Sequence, residues 1–481
     1  MSSRKLFLFS IVAVLCLSRL AFSQAYGTNP IEVGGGATAR VIKGKSHSAQ
    51  VEVKDAEGSS LMSIPVEAFP SIWIYSKSAN TLYLVHEDKK SGIFISPVNL
   101  TTQRAGKDIN IVGRLNFNLD ELIMSSDGSR LFFDSPGRSI YAIDTASNQV
   151  VATYNYDWFR DLSADRPKHS FINNHFVSDG EGGHLIAISE ADPQTMGMLK
   201  PLKCWLTVLS ANSSHPPVTV DPGGPVVASM FSKDGKLLFA AIGADKSTEG
   251  SLAVVDLDKG TSVNHALTDH PTRLFRLGSK QEPWVLGNEE MRSISETGEL
   301  GDRRIPLNKP VKGGESGETG ASAFLDGFPG ETLSLGDEHA AIQITNKHGG
   351  SRHKVALVDM KKLQVDAIIP TMSGGEIAGI RVGRFAAAYA MSMATGGAII
   401  FTPNFIRNES LAARPDGRFL FALDLEGHVI TVVDVQTATV VRRIRVNNTI
   451  TRIELSSDGK HLICFGNKTQ QINLESNNLE N

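Results

Sequence analysis

The chain has 481 residues, of which 41% are hydrophobic and 21% are charged, close to the values of ordinary globular proteins. Its net charge is −3 at pH 7, and its lysines and arginines are spread along the chain, so it lacks the concentrated positive field that non-specific nucleic-acid binding needs. We therefore expect no nucleic-acid partner. The 44 glycines are typical of a fold with many tight turns.

The N-terminus has the features of an export signal. Arg4 and Lys5 precede an apolar run over residues 6–17, and residues 21–23 form a small-x-small cleavage site, with residues 23–25 as a second candidate. An uncleaved membrane anchor is the alternative, but the run is short for a span of about 20 residues. We expect a signal peptide over 1–23, a periplasmic or extracellular protein, and no stable membrane span after cleavage.

Residues 24–37 include Gly34-Gly35-Gly36 and are expected to be a flexible N-terminal segment. From residue 38 to residue 475 the dominant pattern is that of short strands, rich in Val, Ile, Leu and Phe, separated by Gly, Asp, Asn and Ser turns. A strand at 420–424, a turn at 426–428 and a strand at 429–434 illustrate it. The composition predicts an all-β fold, followed by a polar tail over 476–481.

Two signals recur along these strands. An Asp-Gly turn precedes the second strand of a unit, and a third strand often ends in aspartate. The Asp-Gly turns lie at Asp127-Gly128, Asp234-Gly235, Asp416-Gly417 and Asp458-Gly459. The third strands, in chain order, lie at 92–96, 140–144, 204–209, 252–256, 291–295, 355–359, 430–434 and 469–474. Units of about 40 residues with four antiparallel strands are the blades of a β-propeller, and the repeats predict seven or eight of them.

The repeats resemble those of bacterial YVTN-type β-propeller proteins, which belong to a WD40-like superfamily. The family unit is a Ser-Pro-Asp-Gly turn, a strand with an aromatic residue, and a Val-Ile-Asp strand followed by Thr and a Val-Val pair. This chain has Pro415-Asp416-Gly417, then Val432-Val433-Asp434, then Val440-Val441. The resemblance implies a propeller fold.

Three stretches depart from the repeats. Residues 160–174 and 310–330 are polar or rich in Gly, Ser and Glu, and they are expected to be loop insertions. Residues 385–401 are apolar and rich in Ala and Gly. A membrane span there is one interpretation, but Gly396-Gly397 favours two buried strands joined by a turn.

The last repeat, residues 451–474, supplies only three strands. A propeller must protect the edges of its first and last blades, so a fourth strand has to come from elsewhere. Residues 39–42 or 48–53 have the required alternation. We therefore expect one of these segments to pair with the last blade and close the ring.

The sequence contains several candidate site residues but no recognisable catalytic motif. The aspartates that end third strands, namely Asp144, Asp256, Asp359 and Asp434, are expected to be structural, because they recur and can accept hydrogen bonds from the following turn. The histidines His169, His175, His184, His348 and His353 lack a compact metal spacing such as H-E-x-x-H. Catalytic residues therefore stay unknown, and we expect no cofactor and no metal.

The mature chain keeps two cysteines, Cys204 and Cys464, each within an apolar run. Buried free thiols are the simpler interpretation, and a disulfide is the alternative.

Two functional hypotheses remain. One is a binding or scaffold module whose loops at a channel mouth contact a protein, peptide or glycan partner. The other is an extracytoplasmic enzyme or enzyme subunit, lactonase-like or quinoprotein dehydrogenase-like. The absence of a catalytic motif favours binding.

Overall fold

The structure is a computed structural model, and it describes part of the chain. The described residues are 25–26, 30–34, 37–44, 48–55, 58–88, 92–111, 121–125, 128–135, 139–155, 171–173, 185–191, 204–210, 217–243, 250–307, 328–345, 351–372, 410–424, 428–447, 450–456, 458–466 and 470–474. Every regular element within these ranges is a β-strand. None of the described residues forms a helix long and apolar enough to cross a membrane.

The chain divides into two compact units. The first covers residues 1–275, 285–287 and 294–301, and the second covers 276–284, 288–293 and 302–481. The strands of the first unit, up to residue 266, are β1 (Ala25–Tyr26), β2 (Ile31–Gly34), β3 (Ala37–Lys43), β4 (Ala49–Lys54), β5 (Ser60–Val66), β6 (Ile72–Ser76), β7 (Thr81–Asp88), β8 (Gly92–Asn99), β9 (Arg104–Ala105), β10 (Ile109–Ile111), β11 (Glu121–Met124), β12 (Arg130–Ser135), β13 (Ser139–Asp144), β14 (Gln149–Asn155), β15 (Phe171–Asn173), β16 (Leu185–Ala191), β17 (Cys204–Ser210), β18 (Val218–Val220), β19 (Val226–Phe231), β20 (Leu237–Ile242), β21 (Ser251–Asp256) and β22 (Thr261–Ala266).

The next four strands form one sheet. They are β23 (Pro271–Leu277), β24 (Glu282–Gly287), β25 (Glu290–Ile294) and β26 (Leu300–Pro306). The second unit continues with β27 (Phe328–Leu335), β28 (His339–Thr345), β29 (Ser351–Asp359), β30 (Gln364–Pro370), β31 (Leu411–Ala413), β32 (Phe419–Asp424), β33 (Val429–Asp434), β34 (Thr439–Arg445), β35 (Ile450–Leu455), β36 (His461–Gly466) and β37 (Gln470–Asn473).

Consecutive strands pair into sheets of one repeated design. The orders are β2-β3-β4-β5, β6-β7-β8-β10, β11 to β14, β15 to β18, β19 to β22, β23 to β26, β27 to β30, β31 to β34, and β35-β36-β37; β1 adds beside β6, and β9 pairs with β8. A four-stranded antiparallel meander is the unit of a propeller blade. The predicted fold class, an all-β propeller of four-stranded antiparallel blades, is therefore confirmed.

The pattern of burial explains the sequence signal. In the sheet β31–β34, every residue of β32 and β33 is buried, whereas β34 at the sheet edge is largely exposed. Along β32, Phe419 and Phe421 pack in a cluster with residues of β35 and β36, while Leu420 and Ala422 pack in a cluster with residues of β28 and β29. Successive side chains point to opposite faces of a strand. A central strand that is covered on both faces therefore appears in the sequence as a nearly continuous run of apolar residues.

The eight third strands expected from the repeats all overlap the third strand of a sheet, namely β8, β13, β17, β21, β25, β29, β33 and β37. A further sheet, β2–β5, precedes them in the described chain and was not counted from the sequence. It has no Asp-Gly turn, and its third strand, β4, ends in Lys54 rather than aspartate.

The N-terminal expectations need correction. Residues 31–34, within the segment expected to be flexible, form β2, in which Ile31 and Val33 alternate with Glu32 and Gly34 and pack in the core. The proposed ring closure is also wrong. β3 is paired on both sides by β2 and β4, and β4 on both sides by β3 and β5, so neither has an edge left for the last sheet.

Other expectations fall partly or wholly outside the described residues. The signal peptide over 1–23 and the apolar stretch 385–401 are both outside. Of the expected loop insertions, the end of 160–174 contains β15 and the end of 310–330 contains the start of β27.

Candidate functional site

The two ends of each sheet carry different connections. In a meander, the first-to-second and third-to-fourth connections lie at one end, here named the turn end; the second-to-third connection and the link to the next sheet lie at the other, here named the loop end. Residues 156–170, 192–203, 307–327 and 371–410 all connect strands at loop ends. The longest turn-end connection, 174–184, is shorter than each of these. Binding residues concentrate on loops held by a rigid scaffold, so the loop ends are the primary candidate region.

At the turn ends, the third-strand aspartates act as caps. Asp144, Asp256 and Asp359 each accept backbone N–H groups from the residues two and three positions later, at 2.7–3.1 Å. Asp434 accepts the N–H group three positions later at 3.0 Å. Each carboxylate thus holds its own turn. The structural role predicted for these residues is confirmed.

Hydrogen bonds also lower the pKa of three of these carboxyl groups. The N–H group of Ser147 is the main cause of the lowered pKa of Asp144, and the hydrogen bond from the side-chain ammonium of Lys259 is the main cause of the lowered pKa of Asp256. Burial raises the pKa of Asp359, but the hydrogen bonds from the side chain of Lys362 and from the backbone N–H groups of the turn lower it by more, so its pKa is also lowered. A carboxyl group with a lowered pKa stays ionised at neutral pH, which suits a cap better than a proton-transfer group.

The Asp-Gly turns also have the predicted form. Gly128, Gly235, Gly417 and Gly459 have φ between +66° and +72°, a left-handed conformation that glycine adopts without steric cost. Each glycine N–H donates to a backbone carbonyl three residues earlier at 2.8–3.0 Å. These four turns therefore share one hydrogen-bonded conformation.

A buried network occupies the loop ends of the sheets β27–β30 and β31–β34. Asp424, the last residue of β32, is fully buried. Its Oδ2 accepts the Thr371 hydroxyl at 2.7 Å and lies 2.7 Å from Nδ1 of His353. The hydroxyl of Thr431 donates to the Thr371 carbonyl at 2.6 Å, and the Thr371 N–H donates to the His353 carbonyl at 2.7 Å. The network joins two consecutive sheets.

His353 is held in an unusual backbone conformation. A register shift in the pairing of β28 with β29 accommodates it, and its φ is +58°. Among the described non-glycine residues with positive φ, only His353 and His428 lie at loop ends; the others occupy turns. Such a conformation costs about 1–3 kcal/mol and persists where surrounding bonds enforce it. The contacts with Asp424 and Thr371 supply those bonds.

Both ends of the longest loop-end connection, 371–410, are anchored. Thr371 belongs to the network around Asp424. At the other end, the Ser410 hydroxyl donates to the Ile453 carbonyl at 3.0 Å, and the Ser410 carbonyl accepts the Leu423 N–H at 2.9 Å. The scaffold therefore fixes where this connection begins and ends.

Of the candidate histidines, His353 lies within the described residues, where it contacts the buried Asp424. His169, His175, His184 and His348 lie outside the described residues. Sequence reasoning missed Asp424, although it ends an apolar strand just as the third-strand aspartates do. The distinguishing signal is that Asp424 ends a second strand, at the loop end rather than the turn end.

The two cysteines are buried free thiols, as the simpler interpretation predicted. Burial raises the pKa of Cys204 and of Cys464 to about 12. Because the thiolate is the reactive species, neither is suited to act as a nucleophile. One group of described residues has the composition of a metal site: ligand atoms of His339, Asp359 and Asp366 lie within 4.8 Å of one another. It lies at the turn end of the sheet β27–β30.

Comparison with known proteins adds no functional identification. No family model and no curated protein matches the chain. Similar solved structures include dihydro-heme d1 dehydrogenase NirN (12% identity, TM-score 0.47, covering 95% of this chain and 78% of that chain) and apo AztD from Citrobacter koseri (11% identity, TM-score 0.44, 92% and 99%). Hydrazine synthase of Kuenenia stuttgartiensis is another (14% identity, TM-score 0.36, 95% and 97%). At these identities and scores no functional inference follows.

Proposed function

We propose that this chain is an exported β-propeller that acts as a binding or scaffold module for a protein, peptide or glycan partner. The observation that supports it most is the concentration of long connections at the loop ends, opposite short, hydrogen-bonded turns. Rigid sheets that present variable loops at one end are a common arrangement for recognition. The proposal of export rests on the signal-like residues 1–23, and the YVTN-type relationship rests on the repeat resemblance.

The chemistry of the third-strand aspartates and of the cysteines supports binding over catalysis. The carboxylates of Asp144, Asp256 and Asp359 cap turns and have lowered pKa values, and both cysteines are protonated at neutral pH. The network around Asp424 joins consecutive sheets and fixes one end of the connection 371–410. Such a base would hold the described ends of this connection, Thr371 and Ser410, in place.

The test is a binding screen of the mature protein on glycan and peptide arrays. In the loop variant, residues 311–326, which lie within the expected loop insertion 310–330 between β26 and β27, are replaced by a Gly/Ser linker of about ten residues, which can span about 30 Å. In the control variant, the turn 435–438 takes the sequence of residues 257–260. We expect at least one array ligand to bind the parent and the control but not the loop variant. Absence of any ligand, or equal binding by the loop variant, would refute the proposal.

An enzyme is the second candidate, and the pair of His353 with the buried Asp424 favours it, because a carboxylate that orients an imidazole is a common acid–base arrangement. The test is a panel of ester, lactone and amine substrates with the parent and Asp424→Asn. An enzyme would show turnover that this substitution abolishes while ligand binding persists. Absence of turnover across the panel would exclude these reaction classes.

A further inference from the structure

The turn end of the sheet β27–β30 departs from its sister repeats at two positions at once. Four sheets share a third strand that ends in aspartate. The first position is the second-strand residue that pairs with this aspartate, and in the sheets β11–β14, β19–β22 and β31–β34 it is Arg130, Leu237 and Phe419, respectively. The second position is the third residue of the fourth strand, and in the same three sheets it is Val151, Val263 and Val441. In the sheet β27–β30, these positions hold His339 and Asp366.

Both departures place metal-ligating side chains around the same aspartate. His339 pairs with Asp359 across the strands, and Asp366 is the extra residue at a β-bulge in the pairing of β29 with β30. The ligand atoms of the three residues lie within 4.8 Å of one another. Asp359 is buried, and the other two are half-buried, so the group opens to solvent on one side.

Each repeat already places a cation beside its third-strand aspartate. In the sister sheets these are Arg130 at Asp144, Lys259 at 2.6 Å from Asp256, and Arg418 at 3.6 Å from Asp434. In the sheet β27–β30, Lys362 Nζ lies 2.6 Å from Oδ2 of Asp359 and 3.6 Å from Oδ2 of Asp366. A lysine or arginine suffices in the other sheets, so capping alone requires neither the imidazole nor the second carboxylate.

We propose that His339, Asp359 and Asp366 form a binding site for a divalent transition-metal cation of the Zn²⁺ class, which exchanges with the ammonium group of Lys362. One imidazole nitrogen and two carboxylate oxygens are a ligand set that Zn²⁺ accepts, whereas Mg²⁺ and Ca²⁺ prefer oxygen ligands alone. Three protein ligands leave a fourth position for water or for a group of a partner molecule.

The site can close around an ion with small movements. Ligand distances of about 2.0–2.2 Å in a tetrahedral site place neighbouring donor atoms about 3.3–3.6 Å apart. Because the ligand atoms lie within 4.8 Å of one another, closing to these separations takes movements of about 1 Å. Asp366 is half-buried and its Oδ1 accepts the Gln364 amide at 3.0 Å, so its carboxylate can contribute to this movement. The side chain of Lys362 is 61% exposed, so its ammonium can move into solvent when the ion enters.

The sister repeat β31–β34 supplies matched substitutions for the test. His339→Phe and Asp366→Val introduce the residues found there, and both remove a ligand. Lys362→Thr introduces the residue at the position of Thr437 and removes only the competing ammonium. Zn²⁺ binding to the full mature chain is measured by isothermal titration calorimetry and by direct metal analysis after dialysis, with Mg²⁺ and Ca²⁺ as comparison ions.

We expect the parent to bind one more Zn²⁺ per chain than either ligand variant. We expect Lys362→Thr to tighten this site about fivefold, the effect of removing one exposed ion-pair competitor. Thermal melting in the absence of metal monitors folding, and only variants that melt cooperatively are compared. Equal Zn²⁺ stoichiometry in the parent and a folded ligand variant, no binding up to about 1 mM, or stronger binding of Mg²⁺ or Ca²⁺ at this site would overturn the proposal.

Discussion

Alanine substitution at two equivalent glycines distinguishes the energetic cost of a left-handed backbone conformation from that of a steric clash. Gly417 and Gly459 occupy the same position in consecutive first-to-second turns, with φ of +70° and +72°. A Cβ at Gly417 would lie 2.8 Å from the carbonyl oxygen of Leu335 and 2.9 Å from its carbonyl carbon. At Gly459 the nearest atoms belong to the side chain of Pro415, at 3.8 Å and 3.9 Å. Alanine at Gly459 therefore tests φ alone, and alanine at Gly417 adds a backbone clash.

The expected losses differ accordingly. Gly459→Ala should reduce the free energy of unfolding by about 1 kcal/mol, the usual cost of a side chain in the left-handed region. Gly417→Ala should cost about 2–4 kcal/mol, because the backbone of Leu335 must shift and overpacking adds about 1–3 kcal/mol. Native-state hydrogen exchange of the amide protons of β32, β33 and β36 measures the local opening free energies. Equal losses for the two variants, or a larger loss for Gly459→Ala, would refute the argument.

Three further predictions test the turns and the loop-end network. Gly260→Ala should lower the free energy of unfolding by about 1 kcal/mol, because Gly260 has a φ of +64°. Ala438 occupies the equivalent position with a φ of +53°, so Ala438→Gly should leave this free energy unchanged or raise it. The unfolding midpoints of both variants in urea test this. Thr371→Val should cost about 1–3 kcal/mol because it removes a hydroxyl that donates to a buried carboxylate, and Thr371→Ser should recover most of the loss in the same assay. The pKa of Asp144 is lowered in the folded state, so its contribution to stability is present above about pH 4 and is lost as the pH falls through the folded-state pKa. Asp144→Asn should therefore reduce the drop in melting temperature between about pH 5 and pH 2. A melting temperature that falls by the same amount in both proteins would contradict this.

The fold could be predicted from sequence because its central strands are covered on both faces. Strands such as β32 and β33 are buried along their whole length and largely apolar, and each ends in an aspartate. The turns are equally predictable, since the Asp-Gly turns require positive φ and the third-strand aspartates cap short turns. The alternation of β3 and β4 identifies them as strands, but β4 ends in Lys54 rather than aspartate, so the repeat signals do not assign them to a sheet of their own.

The polar clusters were less predictable because they depend on pairing between distant segments. Asp424 and His353 are 71 residues apart, and their contact follows from the docking of one sheet against the next. His339 and Asp366 become neighbours of Asp359 only when the register of β28, β29 and β30 is known. The spacing of the histidines along the chain indicates neither of these two clusters.

The fourth strands β5, β14 and β34 pair irregularly with the third strands of their sheets, and this has a consequence for solubility. Leu61, Val151 and Val441 are 43–54% exposed, and each is the extra residue at a β-bulge. A bulge twists a sheet edge and interrupts its regular row of donors and acceptors, so a strand from another molecule cannot align along it. Val263, 60% exposed, lies in β22, whose pairing with β21 shows no such shift. At high protein concentration, we expect the exposed apolar edge of β22 to self-associate more readily than the bulged edges of β5, β14 and β34.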